Sequence, residues 1–316
     1  MLSKPVQETH DPAMMELACA ICPQPVSYHV KYAAAFRQGK VDERTFSARR
    51  TPERNHYRIV QCDTCGLHIS SPVFREDRIK SLYVNSCFTY EEEADNIRES
   101  YARLLRIASS YAPEKGRLLE IGGGNGFFLE AALDQGYHEV HGVEPSEDAV
   151  NRASARVRAG MKVAFYEKGT YPPESLEVVC CFHVLDHVLD PNTFVRAAYD
   201  NLVPGGVSLF VVHDVRAFSA RVLGERSPII DIEHIYLFDK KTLGSLFQKN
   251  GFDVVKVFDI TNVYSLGYWT RMYPLPSFLK RPLLKVIPAF GLGKVRIGLK
   301  AGNIAIIARK PRLGDR

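Results

Sequence analysis

Long apolar runs are missing from this 316-residue chain. No stretch reaches the roughly 18 residues needed to cross a bilayer as a helix, which excludes a helical membrane-spanning protein. The first eleven residues, Met1 to Asp11, are polar and carry no secretory apolar segment, so export is not expected and a cytoplasmic setting is. Internal repeats and low-complexity tracts are also lacking, which argues against solenoid and disordered classes. There is one tryptophan, Trp269, and from Thr261 to Arg312 there is no acidic residue, although ten Lys and Arg occur there. That segment either faces something anionic or is a solvated basic surface. The net charge of +5 is too small to name a partner. What remains, 46% hydrophobic and 24% charged residues, is the composition of an ordinary globular enzyme.

Four of the seven cysteines form two Cys-x-x-Cys pairs, Cys19/Cys22 and Cys62/Cys65, separated by 39 residues. Each knuckle can present two thiolates, and together they make a tetrahedral zinc site. Gly66, directly after Cys65, suits a turn with positive φ. A fully occupied four-cysteine shell leaves no open position, so such a zinc is structural. The other reading of these cysteines is burial or redox linkage.

This module is expected over residues 14–75, with a helical connector over 76–115 that includes a charged helix from Glu91 to Tyr111. From residue 116 to 312, short apolar runs alternate with amphipathic helix-length stretches, the pattern of a parallel sheet covered on both faces. The fold class expected is therefore α/β, a doubly wound, Rossmann-like seven-stranded sheet with a small N-terminal zinc-binding module. Strands are expected at Leu118–Ile121, Val140–Val143, Val163–Tyr166, Val178–Phe182, Val207–Val212, Val254–Asp259 and Ile304–Ala308. Helices fall at Phe127–Gln135, at Glu147–Arg158 with Ser146 as N-cap, at Pro191–Leu202 before a turn Pro204-Gly205-Gly206, and at Lys240–Asn250 before a stop at Gly251. Residues 261–302 interrupt the last two strands as an insertion too long for a hairpin loop.

Glu120-Ile121-Gly122-Gly123-Gly124-Asn125-Gly126 closes the first strand and opens a helix, placing glycines where the backbone turns tightly and approaches a ligand. Twenty-four residues after Glu120, Glu144 ends the second strand, where a carboxylate can accept the hydroxyl hydrogens of a ribose. Glu120 beside the loop would repel a pyrophosphate but suits an ammonium group, as on S-adenosylmethionine.

At these residues the chain resembles the class I S-adenosylmethionine-dependent methyltransferases, through "LLEIGGGNGFFLEAA", "VHGVEPS", "VVCCFHVLDHVLDP", "LVPGGVSLFVV" and "FDKKTLGSLFQKNGF". The resemblance covers roughly Arg117 to Val257. It implies that Glu120, Gly122, Gly124 and Gly126 serve the methionine part and the loop, that Glu144 holds the ribose, and that Tyr166, within Phe165 to Glu167, flanks the adenine. His183, after the fourth strand, is a further cofactor-contact candidate. With its cysteine module the chain also resembles zinc-binding methyltransferases of sugar and natural-product pathways, among them sugar C-methyltransferases. His187 in "HVLDHV" matches that family's histidine after the fourth strand, and Glu233 and His234 match its Glu-His, although Asp231 stands where that family has tyrosine. Tyr83 or Tyr90 could supply the hydroxyl.

Methyl transfer from a sulfonium is an in-line displacement, so the enzyme orients the acceptor and removes its proton. His187, Glu233 and His234 are the expected catalytic residues, with His234 or Glu233 as base, and His213 beside Asp214 faces the same edge. The expected activity is C- or O-methylation of a small-molecule or carbohydrate-type acceptor, anionic or carrier-linked. Two alternatives are an RNA methyltransferase gripping phosphates with the cysteine module and basic segment, and a non-catalytic scaffold subunit. Nucleic acid is the less expected partner, because no RNA-recognition motif is present. The insertion is expected to cover the acceptor side with Tyr264, Tyr268, Trp269 and Tyr273 together with Arg271, Lys280, Arg281 and Lys285, or to make peripheral membrane contact through residues 274–300.

Overall fold

The computed structural model describes residues 13–35, 55–84, 94–273, 277–312 and 314. Cys87, Tyr90 and the start of the expected helix at Glu91 lie outside them.

Seven strands form one sheet: β1 (Arg117–Ile121), β2 (Glu139–Glu144), β3 (Met161–Val163), β4 (Leu176–Phe182), β5 (Leu202–His213), β6 (Asp253–Asp259) and β7 (Asn303–Arg309). Their spatial order is β6-β7-β5-β4-β1-β2-β3. Strands β1 to β5 pair in parallel, whereas β7 runs antiparallel to both β5 and β6. This is the doubly wound α/β sheet expected from the apolar alternation. Its winding reverses between β1 and β4, so a crevice opens at the carboxyl ends of these two strands.

Because successive side chains in a strand point to opposite faces, each strand feeds two cores. Leu119, Ile121, Val179, Cys181, Phe210 and Ile306 pack with helices Pro191–Asn201 and Lys240–Lys249 on one face. Leu118, Val178, Cys180, Leu209 and Ile307 pack with helices Ala94–Ser109 and Phe127–Asp134 on the other. The helix Ala94–Ser109 buries Ile97, Tyr101, Leu104, Leu105 and Ala108, the spacing of a single apolar stripe.

The N-terminal segment contributes strands Tyr28–Tyr32, Ile59–Cys62 and His68–Ser70, and its four-stranded sheet is completed by Tyr236–Leu237 from far along the chain. Tyr57, Leu67, Ile69 and Phe74 join the same core cluster as β1 and β4.

Three local expectations are corrected. The third strand ends at Val163 rather than Tyr166, since its partner β2 stops at Glu144, and Ala164 to Tyr166 leave the sheet. The helix over 147–158 is two short helices, Glu147–Asn151 and Ala155–Arg158, broken where Ser154 takes extended backbone. Pro204-Gly205-Gly206 lies within β5, where the pairing to β4 shifts register between Leu202 and Val207. The caps at Ser146 and the stop at Gly251 are as expected: Ser146 accepts from the Ala149 N–H, and Gly251 has φ 93°.

Candidate functional site

A cavity of about 1090 Å³ lies at the carboxyl ends of β1, β2, β4 and β5. Typical ligand pockets span about 300–1,000 Å³, so this one has room for a cofactor and an acceptor together.

The glycine loop forms its floor. Gly122, Gly124 and Gly126 all have positive φ (76°, 52° and 75°), and a Cβ at Gly122 would stand 2.4 Å from Val184 Cγ2. The Gly122 N–H donates to Val143 O at 2.9 Å, tying the loop to β2. Glu144 accepts from the Gly124 and Ser146 N–H groups, both at 3.0 Å, so its carboxylate is clamped at the strand end. Glu120 is buried, and its Oε2 receives no hydrogen bond from the described residues. Burial, and then the neighbouring Glu144 charge, hold the Glu120 carboxyl well above its ordinary range. An unsatisfied buried carboxyl oxygen beside a backbone cradle fits a cationic ammonium group.

Of the expected cofactor residues, Glu120, Gly122, Glu144, Tyr166 and His183 line the cavity. Gly124 and Gly126 do not. Gly124 offers its N–H to Glu144, and Gly126 caps the helix Phe127–Asp134, so both shape the loop from behind. Tyr166 turns its hydroxyl away, donating to Asn201 Oδ1 at 2.6 Å, and leaves only its ring to the cavity.

The acceptor side is built around a residue the sequence reading passed over. Asp186, 1% exposed, sits in a single 3₁₀ turn, Leu185–His187, just past β4. Its Oδ2 accepts from His213 Nδ1 at 2.7 Å, while its Oδ1 faces His187 Nε2 at 3.7 Å. Burial alone would raise this carboxyl, but His187, His213 and His234 together hold it well below its usual range. The His234 ring centre stands 4.5 Å from that of His213 and 5.0 Å from that of His187. His187 Nδ1 in turn shares a 2.8 Å hydrogen bond with the Tyr83 hydroxyl. His183 has φ 56°, rare for a residue with a side chain and recurrent at functional sites, and its ring centre lies 4.6 Å from that of His213, the two planes tilted by 44°. Glu233 lines the cavity beside His234.

The cysteine module places the Glu233-His234 pair. Ser70 donates through Oγ to His234 O at 2.7 Å and through its N–H to Ile235 O at 2.8 Å, and Ile69 pairs with Tyr236. From the other side the Ile235 N–H donates to Asp186 O at 2.8 Å. The Glu-His segment is thus stitched between the module and the turn that holds Asp186.

Within the module, single thiol sulfurs of Cys19, Cys22, Cys62 and Cys65 lie within 4.8 Å of one another. Tetrahedral zinc at Zn–S of about 2.3 Å needs sulfurs about 3.8 Å apart, so the set fits such an ion. Gly66 has φ 83°. Tyr264, Tyr268, Trp269 and Tyr273 line the cavity as expected of the insertion, but Arg271, Lys280, Arg281 and Lys285 do not. Arg271 instead places its guanidinium 5.8 Å from the ring centre of Tyr268.

A sequence family described as "Methyltransferase domain" matches residues 91–257, more than half of the chain. The chain belongs to that family. It is an S-adenosylmethionine-dependent methyltransferase of class I, and the glycine loop, Glu120 and Glu144 are the parts that fit this cofactor. A protein named ubiquinone biosynthesis O-methyltransferase from Nitrosospira multiformis is 26% identical over 213 residues, 61% of this methyltransferase and 86% of the relative. Namesakes from Pseudomonas entomophila and Bordetella avium are 28% and 32% identical over 116 and 100 residues, 34% and 30% of this chain. The methyltransferase spans only 50% and 41% of those two relatives. Among solved structures, a SAM-dependent methyltransferase from Thermotoga maritima aligns with 24% identity over 74% of this chain and 99% of its own, at a TM-score of 0.47. One from Mesorhizobium loti aligns with 19% identity over 67% and 99%, at 0.44.

Proposed function

We propose that this enzyme O-methylates a small-molecule or carbohydrate-type acceptor, with the histidine cluster around Asp186 as its proton-accepting centre. The observation that carries the reading is the meeting of His187, His213 and His234 on one buried carboxylate, in the same cavity as the glycine loop. S-adenosylmethionine supplies an electrophilic methyl group. Everything else falls to the chain: the acceptor hydroxyl must be aligned with the sulfonium and must lose its proton. His234 or Glu233 takes that proton, and His187, fixed by Tyr83, orients the hydroxyl. Asp186 is a positioning residue, since it holds His213 and offsets the positive charge that arises on the imidazoles. Curated relatives that carry O-methyltransferase names support oxygen over carbon as the acceptor atom. The aromatic wall of Tyr264, Tyr268 and Trp269 suits an acceptor with an apolar ring or chain.

Cys19, Cys22, Cys62 and Cys65 hold a structural zinc in this reading, keeping the module rigid enough to position Glu233 and His234. The test is separate substitution of His187, Glu233 and His234 by alanine, each followed by cofactor titration and by turnover on a panel of hydroxylated acceptors. Intact cofactor affinity with lost turnover is expected for the base, and undiminished turnover in all three variants refutes the assignment.

A further inference from the structure

Residues 262–273 and 277–299 form a unit on the rim of the cavity. Asn262–Ser265 pairs antiparallel with Arg296–Leu299, and the helix Leu266–Met272 lies between them in sequence, with Trp269 Nε1 donating to Ile297 O at 2.9 Å. An ion pair between Arg296 and Glu99 ties the unit to the helix Ala94–Ser109. A second helix, Ser277–Ala289, rests against the first, and there the usual relation of apolar residues to the interior breaks down.

Seventeen large hydrophobic residues are exposed among the described residues, and nine of them fall between Phe278 and Leu299. Phe278 is 75% exposed and Phe290 76%. Scattered exposed hydrophobics need no explanation, but a contiguous patch marks a contact surface. At 100° per residue Phe278, Leu279, Leu283 and Val286 fall within an arc of about 140° on the helix. Lys280 and Lys285 flank the two edges of that arc, and Arg281 and Lys294 add positive charge in the same segment, whereas Arg296 is paired with Glu99. Cationic side chains beside an apolar arc can reach up to an anionic layer while the apolar residues sink beneath it. The unit's ends open on the cavity: Met272, Tyr273, Leu299 and Lys300 line its mouth, as does Phe218, 83% exposed on the neighbouring helix Phe218–Leu223.

We propose that residues 277–299 dock the protein on an anionic phospholipid surface, with the cavity mouth turned toward the bilayer. Charge decides between this occupant and a second copy of the chain. No acidic residue occurs from Thr261 to Arg312, so a self-complementary contact would set cation against cation. A bilayer bearing anionic headgroups complements both halves of the patch. The helix is too short and too polar to cross a membrane, so the contact is peripheral.

Vesicle flotation tests this without cofactor or acceptor, and so independently of the methyl-transfer reading. The intact chain is expected to float with phosphatidylglycerol vesicles and to stay behind with phosphatidylcholine vesicles. Each basic side chain near an anionic surface contributes about fivefold to partitioning, so the triple variant Lys280→Glu, Arg281→Glu, Lys285→Glu should bind at least about 100-fold more weakly. The pair Phe278→Ser, Leu283→Ser should lose binding as well. None of these residues lines the cavity, so unchanged cofactor affinity and thermal midpoint would show that both variants are folded. The proposal is overturned if the intact chain does not float with phosphatidylglycerol, or if the charge-reversed chain floats equally well. It is equally overturned if sedimentation shows a dimer that Phe278→Ser, Leu283→Ser dissolves, since the patch then serves a second copy.

Discussion

Replacing Glu144 with alanine removes one carboxylate with two jobs. It accepts from the Gly124 and Ser146 N–H groups at 3.0 Å each. An ionised carboxylate offers about four acceptor positions, so about two remain for the vicinal hydroxyls of a ribose. A hydrogen bond to a charged group contributes about 1.5–3 kcal/mol net. Counting the ribose contact as one such interaction partly replaced by water, cofactor affinity should fall by about 10- to 150-fold. The fold also feels the change. Gly124 and Ser146 each lose an acceptor, and a buried donor without a partner costs about 1–3 kcal/mol. For a chain of this size that lowers the thermal midpoint by about 2–4 °C per kcal/mol. Glu144→Gln is the companion, since its amide keeps one acceptor but turns an N–H₂ toward the other backbone donor. Titration calorimetry gives the affinity and scanning calorimetry the midpoint. If Glu144→Ala is folded and binds S-adenosylmethionine within about twofold of the parent, the placement of the ribose on Glu144 is wrong.

Glu120 should make cofactor binding pH-dependent. Its carboxyl keeps a proton to unusually high pH because of burial and Glu144, and an incoming ammonium pulls that proton off. Binding should therefore release protons and tighten as pH rises toward the carboxyl's value in the free protein. Calorimetry in buffers of different ionisation enthalpy should show this release disappear in Glu120→Gln, and an equal release in both proteins would refute it. The same raised value means that the unliganded fold holds this proton longer than the unfolded chain, so its contribution to stability is full below the ordinary carboxyl range and falls as pH rises through the raised value. Glu120→Gln should flatten that decline in urea titrations across pH. Asp186→Asn should lower turnover by about 10²–10⁴-fold with cofactor affinity nearly intact, and proportional loss of both would instead mark it as a support of the cofactor loop. Cys62→Ser should abolish zinc content measured by mass spectrometry and reduce turnover more than cofactor binding, because the module holds the Glu233-His234 segment through Ser70. Zinc retained at the parental level would remove the four-cysteine assignment.

The residues expected to hold the cofactor were legible because they are close in sequence. The loop from Glu120 to Gly126 is one turn of chain, and Glu144 ends the adjacent strand. The acceptor half was harder to read. His187 and His234 were singled out by resemblance, but Asp186, in the same short motif as His187, carried no signal of its own. A carboxylate flanked by histidine just past a strand has no distinctive sequence pattern, and only its 1% exposure and the approach of His213 and His234 set it apart. The basic residues of the insertion were expected to share the cavity lining with Tyr268, Trp269 and Tyr273, and among these only the aromatic residues line it.

By itself the sequence determined the seven-stranded α/β sheet, the glycine loop that borders the cavity and the grouping of four cysteines, because each is written in local periods and spacings that hydrophobic burial and backbone geometry read directly. Tertiary structure alone decided that Tyr236–Leu237 completes the sheet of the N-terminal module, and that Tyr83, His213 and His234 converge on one cavity with Asp186 buried behind His213. Those partners are up to 151 positions apart, from Tyr83 to His234. They meet because the edge of a small sheet needs a strand to satisfy its backbone groups, and the buried Asp186 carboxylate needs donors that no neighbour in sequence can bring.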